Sequence, residues 1–80
     1  MSEAGRQLVE NERGRRAVMQ DAKRLLLEVL VKLTAETEGQ LAELDIDGAR
    51  VLIERIAAKR QTMRELITRQ RELAAAAASE

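Results

Sequence analysis

The side chains of this sequence that could take part in chemistry are arginines, lysines, carboxylates and amides, because the chain contains no His, Cys or Tyr. Its two serines, Ser2 and Ser79, stand near opposite ends, so neither forms a nucleophile and base pair at a plausible spacing. The ligands that zinc and redox metals prefer, imidazole and thiolate, are missing. The sequence therefore predicts no catalytic residue, no metal site, no cofactor and no small-molecule substrate.

One class of enzyme works with Arg, Lys, Glu and Gln alone. The segment from Asp45 to Arg55 resembles the first helix of the helical chorismate mutases, which are small helical dimers. The similarity stops downstream, because the lysine expected a turn or more later falls on apolar residues and no third catalytic helix follows. A chorismate mutase-like enzyme is therefore a lesser alternative to a protein without enzymatic activity.

The second half of the chain is rich in arginine, a feature of proteins that bind RNA or DNA. The arginines concerned are Arg50, Arg55, Arg60, Arg64, Arg69 and Arg71. On a helix they scatter around the cylinder, and Glu54, Glu65 and Glu72 are interleaved with them. The whole chain balances 14 basic residues with 14 acidic ones and has no aromatic residue for base stacking. We expect a solvated, salt-bridged face and no nucleic-acid partner.

Length and composition predict one small all-α domain with an aliphatic core. The chain has 80 residues, of which 45% are apolar and none is aromatic or proline. A core of this size supplies only about 3–5 kcal/mol, so we expect a protein partner or self-association. The longest apolar cluster, residues 25–33, contains Glu28 and Lys32 and is too short to span a bilayer. The sequence thus predicts a cytoplasmic protein that does not insert into a membrane.

Two stretches with helical periodicity flank the segment from Leu44 to Gly48. The first stripe comprises Val18, Ala22, Leu25, Leu26, Val29, Leu30, Leu33, Thr37, Leu41 and Leu44. The second comprises Ala49, Leu52, Ile53, Ile56, Met63, Leu66, Ile67, Leu73 and Ala74. Asp45 or Asp47 can cap the second helix. The pattern predicts an antiparallel, coiled-coil-like two-helix hairpin, extended by a third short N-terminal helix or by oligomerisation.

The predicted hairpin domain covers residues 15–80, with arms at 15–43 and 47–76 and a turn near 44–48. Residues 1–14 form a polar arm that is either a helical extension or disordered. Pairing about this turn predicts that Lys59 lies opposite Glu36 as a half-exposed ion pair. Residues 25–54 hold seven acidic and two basic side chains, so the tip is predicted to be acidic and the open end basic.

The run from Leu25 to Val31 is more apolar than one helix face requires. Leu25, Leu26, Val29 and Leu30 belong to the main stripe, but Leu27 and Val31 point well outside it. A two-helix hairpin cannot cover both faces. A third helix, a second copy or a client protein must therefore cover Leu27 and Val31.

These residues resemble the helical core of the FlgN-type flagellar export chaperones. The similarity covers about residues 22–73 and is carried by Leu25-Leu26-Leu27-Glu28-Val29-Leu30, Glu36, Leu41, Asp45, Lys59, Met63, Leu66 and Ile67. Members of that family are usually longer than this chain. The resemblance implies a cytoplasmic, non-enzymatic chaperone of flagellar or type III secretion that binds an aggregation-prone helical segment of its client.

The predicted partner-binding residues lie on both arms. The surface comprises Leu27, Val31, Ile56, Met63, Leu66, Ile67 and Leu73. The first two are included because the hairpin leaves them uncovered. The other five are included because Lys59, Arg60 and Gln70 interrupt the second stripe and leave room for a client helix. The alternative for Met63, Leu66 and Ile67 is ordinary hairpin core. The alternative for the whole chain is a structural coiled-coil subunit of a larger complex, with a permanent partner without which the chain is unfolded. The predicted partner is a helical segment of a client protein or, in a homo-oligomer, another copy of the chain.

Overall fold

The computed structural model describes residues 2–79. It contains three helices, α1 (Glu3–Lys32), α2 (Glu38–Ala42) and α3 (Ile46–Ala78). Helices α1 and α3 pack side by side, and the molecule measures 62 × 15 × 13 Å. No strand occurs within residues 2–79. The predicted all-α antiparallel hairpin is confirmed, and the short helix α2 lies in the connection between the two long helices.

The interface between the two long helices is a seam of the coiled-coil type, in which shielded residues recur at alternating spacings of four and three. On α1 the seam positions are Ala4, Leu8, Asn11, Arg15, Val18, Ala22, Leu25, Val29 and Lys32. On α3 they are Ala49, Leu52, Ile56, Lys59, Met63, Leu66, Gln70, Leu73 and Ala77. The buried apolar residues among them are Ala4 and Leu73 toward the open end and Leu25, Ala49 and Leu52 toward the turn.

Asn11 is a buried polar residue in this seam. Its Nδ2 donates a hydrogen bond to the backbone carbonyl oxygen of Leu66 on α3, with a distance of 2.9 Å. Its Oδ1 accepts from the Nε of Arg15, also at 2.9 Å. The bond from Arg15 lies within α1, but the bond from Nδ2 to Leu66 forms only when α1 and α3 meet in this register, which is the use that coiled coils make of a buried asparagine.

Each helix begins at a side chain that caps free backbone N–H groups. The Ser2 hydroxyl accepts from the Gly5 N–H at 3.0 Å, and the Thr37 hydroxyl accepts from the Gln40 N–H at 3.1 Å. The Asp45 carboxylate accepts from the Gly48 N–H at 2.8 Å. The predicted capping role of Asp45 is thus observed.

The arms differ in extent from the predicted ones. Helix α1 begins at Glu3, so the helical-extension alternative describes residues 3–14, and it ends at Lys32 instead of residue 43. A capping motif explains the early end: the Thr37 hydroxyl caps α2, and the Gln40 side-chain oxygen accepts from the Glu36 N–H at 2.8 Å. The connection therefore covers residues 33–45, and the predicted turn at 44–48 contains the start of α3.

The earlier turn changes the register and therefore the partner of Lys59. The Lys59 ammonium lies 3.1 Å from the Asp21 carboxylate, and both side chains are partly exposed. The predicted pairing of Lys59 with Glu36 is wrong, because Glu36 lies in the connection beyond the end of α1. A hairpin centred near residue 40, and not near residue 46, brings Asp21 opposite Lys59.

Candidate protein-binding surface

Exposed apolar side chains concentrate at the turn end of the hairpin. Among residues 2–79, nine of the eleven exposed large apolar side chains fall between residues 26 and 53. They are Leu26, Leu27, Leu30, Val31, Leu33, Leu41, Ile46, Val51 and Ile53. We call this set the turn-end surface. Single exposed apolar residues are normal on proteins, but nine of them at one end of a hairpin are typical of an interaction site.

Five of these residues share one broad face of the hairpin. One side of α1 carries Met19, Leu26, Leu30 and Leu33, at successive spacings of seven, four and three residues. One side of α3 carries Ile46, Ile53, Arg60 and Arg64. Met19 lines a groove together with Arg60 and Arg64, so the two sides belong to the same face. We define the broad face as Leu26, Leu30, Leu33, Ile46 and Ile53.

Leu27 and Val31 lie on the outer edge of α1, one turn apart and directed away from α3. Their exposed fractions are 63% and 77%, the latter being the highest of any large apolar residue in residues 2–79. The sequence-based expectation that the hairpin does not cover these two side chains is met. We call this pair the outer edge.

An open groove of about 670 Å³ adjoins the outer edge, between the end of α1, α2 and the start of α3. Its apolar part includes Leu30, Val31 and Leu44. Its polar part includes the carboxylates of Glu36 and Glu43 and the ion pair of Asp45 with Lys32. The groove therefore combines aliphatic contacts with negative charge. A ligand complementary to it carries apolar and basic groups side by side.

Asp45 links the groove to the hairpin. Its carboxylate lies 2.8 Å from the Lys32 ammonium, in addition to capping α3 through Gly48. The hydrogen bond from Lys32, followed by that from the Gly48 N–H, lowers the pKa of Asp45 below its ordinary value. This ion pair joins the last turn of α1 to the first turn of α3 and so holds the wall of the groove in place.

The predicted partner-binding residues of the second arm lie mainly along the seam. Ile56, Met63 and Leu66 are half-buried seam residues, and Leu73 is only 5% exposed. Ile67 is half-buried beside the seam, next to Met19 and Met63. The structure thus separates these five from Leu27 and Val31, which lie on the far side of α1. Their predicted contact with a client stays a prediction.

The apolar pattern of the sequence did not mark the broad face as a surface of its own. It assigned Leu26, Leu30, Leu33 and Ile53 to the two apolar stripes, as if each could face the other helix. A signal was present in the width of the stripes, because one neighbouring helix covers only the narrow arc of the seam positions. Residues at the flanks of a wider stripe must face something else.

Comparison with family models, with curated proteins and with solved structures finds no match to this chain. No helix within residues 2–79 is long and apolar enough to cross a membrane. The carboxylates of the same residues form no cluster of three or more suited to a metal ion. The turn-end surface is therefore interpreted from its own geometry and charge.

Proposed function

We propose that this chain is a non-enzymatic protein-binding module that holds an amphipathic helix of another protein against the outer edge and the adjoining groove. The observation that carries the proposal is the exposure of Leu27 and Val31 beside a groove that contains carboxylates. A helix commonly contacts another helix through apolar side chains that lie one turn apart, as Leu27 and Val31 do. A helix-in-groove complex would cover both.

The charge of the groove specifies the chemistry of the partner. Glu36 and Glu43 are exposed carboxylates on the connection, and Asp45 lies next to them. Only Lys32 and Arg50 supply positive charge among residues 25–54, against seven acidic residues. The partner helix therefore carries leucine-like residues on one face and lysine or arginine along its border, so that its charges accelerate the encounter and set its orientation.

An export chaperone is the cellular role that we favour for this module. The support is the resemblance of residues 22–73 to the FlgN-type flagellar export chaperones, together with an apolar surface that the hairpin leaves uncovered. A chaperone folds alone and exchanges its client, whereas a permanent structural subunit of a complex requires its partner for stability. Cooperative thermal unfolding of the isolated chain would favour the chaperone over the structural coiled-coil subunit.

Calorimetric titration with a synthetic peptide tests the binding mode directly. The probe is an amphipathic helix of leucine and lysine, and the comparison peptide replaces every lysine with glutamate. We expect the basic peptide to bind and the acidic one to bind at least tenfold more weakly. The double variant Leu27→Glu with Val31→Glu should lose at least tenfold in affinity for the basic peptide, which corresponds to about 1.4 kcal/mol.

Val9→Glu is the matched control. Val9 is an exposed apolar residue of α1, about five turns from Leu27 and away from the groove. Its substitution should leave the affinity for the basic peptide unchanged. Equal binding of the two peptides, or an equal loss of affinity in Val9→Glu and the double variant, would overturn the proposed binding mode.

A further inference from the structure

The isolated hairpin exposes more surface than a folded chain of its mass normally does. Its accessible surface is 6167 Å² at 9.0 kDa, whereas a typical monomer of that mass exposes about 4,900 Å². The excess of roughly 1,300 Å² per chain is larger than the 800 Å² or so that each partner buries in a standard interface. The chain thus has enough uncovered surface for a stable dimer.

The broad face is the part of this surface that a second hairpin fits. It presents apolar side chains from both long helices, with Leu26, Leu30 and Leu33 on one side of the seam and Ile46 and Ile53 on the other. A single client helix covers one such ridge. Two hairpins placed face to face cover both ridges of each copy and produce a four-helix bundle, a common packing of helices with apolar stripes.

Charge determines which way the second copy runs. The connection beyond the broad face carries Glu36, Glu38 and Glu43, so two parallel copies would place like charges together. In an antiparallel pair centred on the broad face, each connection extends about 10–15 Å past the centre and comes alongside Lys23 and Arg60 of the other copy. Neither Lys23 nor Arg60 has an ion-pair partner within residues 2–79.

We infer that the broad face binds a second copy of this chain in an antiparallel, two-fold arrangement, with the acidic connection of each copy against the basic segment of the other. The inference uses the same end of the hairpin as the proposed function but a different face. The outer edge, with Leu27 and Val31, stays on the outside of the bundle. Leu30, Glu36 and Glu43 line the groove as well, so a client helix and a second copy share part of this end of the hairpin.

Sedimentation equilibrium of the full chain tests the dimer, with circular dichroism to verify that each variant is helical. The wild-type chain should sediment with twice the mass of 9.0 kDa. Leu26→Glu puts a charge on the broad face and should give a monomer. Leu27→Glu, the same change at the neighbouring position, should stay a dimer because its side chain points to the outer edge.

A monomeric wild type at concentrations up to several hundred micromolar would overturn the inference. So would a Leu26→Glu variant that is helical and still dimeric. If Leu26→Glu fails to fold, Ile53→Glu on α3 makes the same test of the broad face, with Val51→Glu as its neighbouring control. A dimer that both Leu27→Glu and Val51→Glu disrupt would place the contact elsewhere and contradict the assignment.

A spin label measures the orientation. The chain has no cysteine, so Val9→Cys gives one label per chain and only distances between copies. Val9 lies about 20 residues, or about 30 Å, from the centre of the broad face. An antiparallel dimer therefore predicts a label separation near 60 Å, whereas a parallel dimer predicts about 20–30 Å. A separation in the shorter range would refute the antiparallel arrangement.

The failure of this inference and that of the proposed function give different results. Peptide binding to a chain that sediments as a monomer would leave the proposed function standing without the dimer. A wild-type dimer whose monomeric variant Leu26→Glu binds neither peptide would leave the dimer standing without the proposed function. Leu26→Glu should retain affinity for the basic peptide, because Leu26 does not line the groove.

Discussion

The seam is built differently in the two halves of the hairpin. In the turn half, residues 25–54, the helices meet through Leu25, Val29, Ala49 and Leu52, of which all but Val29 are buried, and Lys32 is the one polar seam position. In the open half, the remainder of the chain, four seam positions are polar: Asn11, Arg15, Lys59 and Gln70. The turn half therefore has the denser aliphatic contact, and the open half has hydrogen bonds and ion pairs at corresponding positions.

The different composition of the two halves of the seam assigns them different roles, one in the stability of the hairpin and the other in the choice of its register. Aliphatic side chains contribute most of the burial energy, but they pack nearly as well after a shift of one turn. A buried amide that meets a particular carbonyl group, as Asn11 meets Leu66, discriminates against such shifts at some expense in stability. The turn half thus supplies stability and docking surface, while the open half selects the register.

Substitution of a buried leucine in each half should produce the largest effect. Leu52→Ala removes a side chain that packs against the aliphatic seam and should lower the free energy of unfolding by about 3–4 kcal/mol. Leu73→Ala should lower it by about 2 kcal/mol, since its seam neighbours include the small residues Ala4 and Ala77. Urea unfolding followed by circular dichroism measures both. A cost for Leu73→Ala equal to or above that of Leu52→Ala would contradict the comparison.

Asn11→Leu should stabilise the chain, in contrast to the two leucine substitutions, and should allow α1 and α3 to pair in more than one register. Replacing a buried amide with an aliphatic side chain of similar size should raise the free energy of unfolding by about 1 kcal/mol. Spin labels at Val9→Cys and Arg71→Cys, in chains diluted with unlabelled protein, report the distance between α1 and α3. The distribution of this distance should be broader in Asn11→Leu than in the same labelled chain with Asn11 retained. A less stable variant, or an unchanged narrow distribution, would show that Asn11 does not select the register.

The smallest effect concerns the charge of Asp45 in the turn half. Since hydrogen bonds from Lys32 and Gly48 lower its pKa in the folded state, the ionised carboxylate stabilises the fold above the ordinary pKa of about 3.9. This stabilisation is lost as the pH falls through the lower folded-state pKa. The wild type should be slightly more stable than Asp45→Asn at pH 7, and the difference should be smaller at pH 2. Melting temperatures at both values test this, and a difference that grows on acidification would contradict the sign.

Much of the fold could be predicted because it depends on local patterns. The spacing of apolar residues identifies two helices, and Asp45 followed by Gly48 identifies the start of the second. The end of α1 was missed because Leu33, Thr37, Leu41 and Leu44 continue the apolar period beyond Lys32. The capping motif from Thr37 to Gln40 outweighed that period, since capping satisfies backbone groups that Leu41 alone cannot.

The candidate site was predictable only where a side chain lies opposite the seam. Leu27 and Val31 could be identified as uncovered because no arrangement of two helices reaches them. Leu26, Leu30 and Ile53 lie at the flanks of the seam, where coverage depends on how closely the two helices approach each other. The spacing of apolar residues in the sequence does not specify how closely the helices approach each other. The broad face could therefore be identified only from the structure.

The elongated shape of the molecule, 62 Å long, also determines where Ser2 and Ser79 lie. Ser2 and Ser79 are together at the open end, about 40 Å from the middle of the turn-end surface, as follows from the helical rise over some 27 residues. A fluorophore, resin or carrier protein joined near either end is therefore held far from Leu27 and Val31. Immobilisation at one end leaves the apolar surface at the tip free to meet its ligands.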